Sequence, residues 1–210
     1  MEKQAGQKLI GLTGMYCAGK NFVAALLEKR GLPVLDVDKL GHAALDAGRT
    51  EVLARFGPGV LGDDGKINRR ALGEAVFGKE AELAALEAIV HPAVNRMTEA
   101  WVAEQGRGSC VINAALIHKS SVFNRLDRII LVEAPLLTRV FRARKRDGLS
   151  WAGLVKRFGS QKNFRSQYLP GKADIYRVEN RGSFPLCARF SREKLENRID
   201  EILSGEGMVH

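Results

Sequence analysis

The stretch Lys8-Leu9-Ile10-Gly11-Leu12-Thr13-Gly14-Met15-Tyr16-Cys17-Ala18-Gly19-Lys20-Asn21 decides the fold. Lys8 to Thr13 reads as a short buried strand, and Gly14 to Lys20 as a glycine-rich turn. An apolar pattern at Phe22, Val23, Leu26 and Leu27 then predicts a helix to Lys29, with Gly31 as its stop. Strand, loop and helix in this order suit the pattern G-x-x-x-x-G-K-[ST], which Gly14 to Lys20 matches through its lysine. The glycines let consecutive backbone N–H groups face a phosphate, the helix N-terminus adds partial positive charge, and Lys20 adds a full one. The eighth position is Asn21, where the pattern has the Ser or Thr hydroxyl that meets Mg²⁺. An asparagine carbonyl oxygen can also ligate Mg²⁺, from a longer arm.

Outward from this stretch, Pro33 to Leu35 reads as a second buried strand running into Asp36-Val37-Asp38. Two carboxylates beyond a parallel strand are placed to hold a metal-bound water or to take a proton from an attacking hydroxyl. The same pair also suits a solvated turn or a helix cap. From Asp38 to Gln105 the pattern is helical, with breaks expected at Gly57 to Lys66 and at His91-Pro92. Leu83, Leu86 and Val90 form one expected apolar stripe, and Val94, Met97 and Trp101 another. Strands resume at Cys110 to Ala114, Arg128 to Val132 and Ile175 to Val178. Pro135 is expected at the first position of a helix, and Ser191 as the cap of a last helix carrying Leu195, Ile199 and Ile202. The expected class is α/β, a parallel sheet with helices on both faces and a helical insertion after the second strand.

The 210 residues are 45% hydrophobic and 27% charged, a globular composition, and no run approaches the about 18 apolar residues of a membrane span. Met1 to Lys8 is polar and unlike a signal peptide, and Cys17, Cys110 and Cys187 show no paired spacing. A reduced, cytoplasmic protein without a membrane partner is expected. The net charge of +9 is uneven: residues 1–118 hold 14 basic and 14 acidic side chains, and residues 119–210 hold 19 and 10. Such a surface attracts polyanions. These could be nucleic acid or phosphorylated small molecules, and charge alone does not choose between them; no helix-turn-helix, zinc-finger or RNA-binding signature favours nucleic acid. Arg139, Arg142 and Arg146 share one helical face, which suits either a solvated stripe or a cluster at a transferring phosphate.

The ordered set of motifs resembles the dephospho-coenzyme A kinases. Gly11 to Lys20 (GLTGMYCAGK) and Val34 to Lys39 (VLDVDK) begin it. Arg55 to Pro58, Gly65 to Leu72, Val76-Phe77, Leu86 to Pro92 and Arg146 to Ser150 continue it. Gln161, Ala173-Asp174 and Glu179 to Ser183 close it. The resemblance implies a P-loop kinase with a nucleotide-binding core (1–38, 108–138 and 172–210), a helical substrate lobe (39–107) and a lid (139–171). It implies transfer of the ATP γ-phosphate to the ribose 3′-hydroxyl of dephospho-coenzyme A, the last step of coenzyme A biosynthesis, with Mg²⁺.

The same resemblance implies roles by position. Gly14, Met15, Tyr16, Cys17, Ala18, Gly19, Lys20 and Asn21 would bind ATP, with Asn180 near the adenine. Asp38 would act as base or metal partner, and Asp36 and Asn21 would meet the metal. Asp36, Arg69 and His91 would serve the substrate, while Arg142 and Arg146 would close over the transferring phosphoryl group with Lys20. His91 also suits a helix end, and Asn180 a turn. Two departures stand out. Asn113-Ala114-Ala115-Leu116-Ile117 stands where the family often, though not throughout, carries D-x-P-L-L, and Met15-Tyr16-Cys17 replaces smaller residues expected to keep the phosphates uncrowded. Asn21 and Asn113 leave open a protein that holds ATP or coenzyme A without turnover; another small-molecule kinase and a basic nucleic-acid binder are the remaining alternatives. Cys17, beside Lys20 and a helix N-terminus, is expected to have a lowered thiol pKa.

Overall fold

The computed structural model describes residues 6–148, 153–154, 158–159, 172–181 and 188–205, with 188–190 as backbone alone. Gln161, Gly182, Ser183, Cys187 and most of the expected lid lie outside them. The strands are β1 Leu9–Gly14, β2 Val34–Asp36, β3 Cys110–Asn113, β4 Arg128–Glu133 and β5 Asp174–Glu179. The helices are α1 Lys20–Glu28, α2 Val37–Ala47, α3 Arg49–Phe56, α4 Arg69–Val76, α5 Glu80–Glu104, α6 Leu136–Asp147 and α7 Ala188–Ser204.

Two compact units result, one of Met1–Leu35 with Gln105–His210 and one of Asp36–Glu104. The first is built on a five-stranded sheet in the order β2-β3-β1-β4-β5. β1 pairs in parallel with β3 on one side and β4 on the other, and β5 continues in parallel beyond β4. All six residues of β1 are buried, as in a central strand covered on both faces. Leu9, Leu12, Ile129 and Ile130 are fully buried, each stabilising the fold by about 1.5–3 kcal/mol. Edge strand β5 alternates buried Tyr176 and Val178 with exposed Asp174, Arg177 and Glu179, charges that discourage further strand pairing. On α7, Leu195, Ile199 and Ile202 join the core as expected.

The second unit is helical. Val52, Val60, Ile67, Leu72 and Val76 form its core, with Leu45, Phe56, Leu86 and Ile89 packed around them. Among its described residues the strand pairing is confined to one antiparallel bridge, Leu61 with Ile67.

Several local expectations need correction. β2 is half-buried, because it is an edge strand and not an inner one. α5 does not break at His91-Pro92 but runs through the proline. A proline inside a helix loses one hydrogen bond and crowds the preceding turn, and the packing of Ala93, Thr98 and Val102 holds the later half in place. That buried line replaces the expected Val94, Met97 and Trp101 stripe, while Leu83 is 46% exposed. Pro135 caps α6 instead of opening it, and α7 begins three residues before Ser191.

Candidate active site

β1 ends at Gly14 beneath a backbone that leaves no room for a side chain. A Cβ there would lie 2.9 Å from the carbonyl oxygen of Val132 on β4. The chain then turns through Cys17 (φ 58°) and Gly19 (φ 94°), both left-handed, before α1 starts at Lys20. Ala18 N–H donates to Met15 O at 2.9 Å and closes the turn. Left-handed residues among right-handed ones make consecutive N–H groups converge, which is the concave arrangement that binds anions. α1 carries no side-chain cap and no acidic residue in its first turn, so nothing there opposes a negative ligand.

The bulky residues of the loop do not crowd it, because their side chains are spent on packing. Met15 lies against the core, and Cys17 packs with Ala143 of α6 and with Leu154. Tyr16 meets Phe158 edge-on at 5.7 Å between ring centroids and hydrogen-bonds through its hydroxyl to Asp147. Burial pushes the Cys17 thiol pKa up, with Asp147 adding to this, and outweighs the lowering by Arg146 and Arg139. The expected lowered pKa of Cys17 is therefore wrong: desolvation wins over nearby positive charge.

The arginine face of α6 turns to the loop. Arg139 is only 7% exposed and donates to Tyr16 O at 2.8 Å and to Met15 Sδ at 3.2 Å. Its guanidinium lies 4.7 Å from the Phe158 ring centroid. Arg142 donates to Ala18 O at 2.9 Å and to Cys17 O at 3.3 Å. Burial lowers the pKa of both guanidinium groups, and the solvated-stripe alternative fails for them. Arg146 is more exposed, forms a two-point ion pair with Asp147 at 2.7 and 2.9 Å, and stacks 5.2 Å from the Tyr16 ring centroid. The Asp147 hydrogen bond raises its pKa.

Asn180 follows β5 and is 6% exposed. Its Nδ2 donates to Ala18 O at 3.0 Å and its Oδ1 accepts from Arg142 at 3.1 Å. Gly19 passes so close to this amide that no larger residue fits. Asn113, at the end of β3, donates from Nδ2 to Asn21 Oδ1 at 3.3 Å. The carbonyl oxygen expected to face a metal is thus already accepting a hydrogen bond. The Oδ1 of Asn113 is buried and finds no hydrogen-bond partner among the described residues.

The second unit carries the other named residues. Asp36 stands at the N-terminus of α2 but its carboxylate does not cap the helix. One of its oxygens lies 3.7 Å from Lys39 Nζ, and the other is buried without a hydrogen-bond partner among the described residues. Asp38 sits in the first turn of α2 and is exposed. Arg69 opens α4 behind the cap Asn68, whose Oδ1 accepts from Arg70 and Ala71 N–H groups. Arg69 Nη1 lies 2.7 Å from His42 Nε2. Since arginine only donates, His42 accepts there and carries its proton on Nδ1. His91 is half-buried within α5.

Residues 8–182 match the family model described as dephospho-CoA kinase. The chain belongs to the dephospho-CoA kinase family, and it is a kinase. It is 34% identical over 200 residues to the dephospho-CoA kinase of Geobacter sulfurreducens, covering 92% of this chain and 96% of that one. A Thermus thermophilus protein of known crystal structure superposes with a TM-score of 0.77 at 32% identity, over 98% of this chain and all of its own. The dephospho-CoA kinase from Campylobacter jejuni shares the fold, with a TM-score of 0.63 at 23% identity over 94% of this chain and 98% of its own. No helix among the described residues is long and apolar enough to cross a membrane.

Within this family member, sequence reasoning missed His42, Asp147 and the contact between Asn21 and Asn113, and it left Arg139 open between a solvated stripe and a cluster at the phosphate. Only His42 left a signal: it lies one helical turn after Asp38.

Proposed function

We propose that this chain transfers the γ-phosphoryl group of ATP to the ribose 3′-hydroxyl of dephospho-coenzyme A, completing coenzyme A in the cytoplasm. The observation that carries the reading is the left-handed loop at Cys17 and Gly19, opening α1 at Lys20, in a chain of this family. In the proposed site, loop N–H groups, Lys20 and the α1 N-terminus hold the ATP phosphates. Arg142 and Asn180 fix the loop and border the adenine, and Arg146 adds charge over the transferring group. Asp38 orients the 3′-hydroxyl and accepts its proton at a carboxylate oxygen, with Asp36 beside it. Arg69 and His91 hold the substrate in the helical unit, and residues 139–171 act as lid. Positioning and charge supply most of the rate, because phosphoryl transfer asks little covalent help of the protein.

Magnesium would neutralise charge on the ATP phosphates. Among the described residues no group of three or more His, Cys, Asp or Glu could hold a metal ion. The buried oxygen of Asp36, without a hydrogen-bond partner among the described residues, is an acceptor of the kind that suits the water shell of such an ion. The excess positive charge of the C-terminal half suits anionic substrates.

A second reading, binding of ATP or coenzyme A without fast turnover, draws on the two asparagines. Incubation with ATP, Mg²⁺ and dephospho-coenzyme A separates the two. Multiple turnovers to a product heavier by one phosphoryl group support the kinase, and tight binding without product supports the binding protein.

A further inference from the structure

Two departures from the family pattern, read separately in the sequence, are one feature in the fold. Asn113 ends β3 with its Cα beside Leu12 of β1, and Asn21 is the second residue of α1. Although 92 residues apart in the chain, they meet through Asn113 Nδ2 and Asn21 Oδ1 at 3.3 Å. This engages one of the two lone pairs of the Asn21 oxygen. Asn113 is 1% exposed, and its own Oδ1 has no hydrogen-bond partner among the described residues. A buried acceptor left unsatisfied is costly, and such a group in a native fold calls for an explanation such as a bound water.

The chemistry of the pair differs from that of the residues it replaces. A hydroxyl with a carboxylate offers a cation one negative charge and repels a bare triphosphate. Two amides offer no charge, so they attract a cation less strongly and do not repel the nucleotide. Resting on the nucleotide-site reading above, we propose that Asn21 and Asn113 form a neutral amide pair at the metal position. ATP is then held by the loop, Lys20 and the α1 N-terminus with little dependence on divalent cation. Asn113 Oδ1 is satisfied by a water of the bound state.

Calorimetric titration of the wild type with ATP in Mg²⁺ and with ATP in excess chelator tests this without relying on turnover. The two affinities are expected within ~3-fold of each other, under the tenfold that one strong ionic contact readily supplies. The double variant Asn21→Ser, Asn113→Asp restores hydroxyl and carboxylate, and is expected to favour Mg²⁺–ATP by ~10-fold or more. Asn113→Asp alone places a charge beside an amide oxygen and is expected to melt below the double variant. A wild type that binds ATP ~10-fold or more tighter with Mg²⁺ overturns the amide pair while leaving the nucleotide site standing. That comparison needs no variant to fold. A wild type that binds neither form overturns both.

Discussion

Arg142 donates from Nη2 to Asn180 Oδ1 at 3.1 Å, and the two side chains converge on one acceptor, the carbonyl oxygen of Ala18. α6 and the segment after β5 thereby grip the turn of the phosphate loop from its outer side. Asn180→Ala removes two buried hydrogen bonds and leaves Arg142 with fewer partners. It is expected to destabilise the fold by about 1–3 kcal/mol, the usual cost of orphaning buried polar groups. ATP affinity should fall with it. Thermal melting and ATP titration check both, and unchanged values in each would remove Asn180 from the site.

Lys20→Ala tests the loop more simply. A lysine at the start of α1 that serves a ligand contributes little to folding, so stability should move by less than about 0.5 kcal/mol. Turnover should be lost. A folded variant with near wild-type activity would reject the assignment of this loop to ATP.

Asp36 and Asp38 differ in environment. Asp38 is exposed at the head of α2, and Asp36 keeps one buried oxygen without a partner among the described residues. Asp38→Asn is expected to lower kcat by ~10²-fold or more, the low end of general-base help. Asp36→Asn should act more on metal dependence than on kcat. Steady-state kinetics across Mg²⁺ concentrations decide this, and a larger kcat loss in Asp36→Asn would reverse the roles.

Cys110 supplies a pH signature independent of activity. Burial raises its thiol pKa to about 11 from an ordinary value of 9.0. A group that ionises later in the folded state weakens folding progressively as pH rises from its unfolded to its folded pKa. Its contribution is therefore fully present below pH 9 and is lost as pH rises towards 11. Cys110→Ala should flatten the fall in stability over that window in denaturant titrations. Cys17, also raised, should alkylate at pH 8 more slowly in the native protein than in denatured chain, with or without ATP. Peptide mass analysis reads both thiols, and rapid native labelling of Cys17 slowed by ATP would return it to the phosphates.

The strand, loop and first helix were legible because their signals are local: an apolar run, glycines at fixed spacing, then a helical period. β3, β4 and β5 were legible for the same reason. What sequence hid was set by contacts between distant segments. The edge position of β2 follows from a strand order that no local pattern encodes. Arg139 reads equally as a solvated charge or a phosphate ligand on α6, and is buried because it packs on Tyr16, Met15 and Phe158. Pro92 looked like a break because local sterics oppose it, and tertiary packing overrides them. Asn21 and Asn113 each looked like a defect until the sheet brought them together.

The central claim is most directly tested by analysing the product made from ATP, Mg²⁺ and dephospho-coenzyme A over many turnovers. The ³¹P spectrum together with fragment masses locates the new phosphate. The account predicts a new phosphomonoester on the ribose 3′ oxygen, formed in excess over enzyme and absent with Lys20→Ala. No product from the folded wild type, or a phosphate elsewhere on the acceptor, would contradict it.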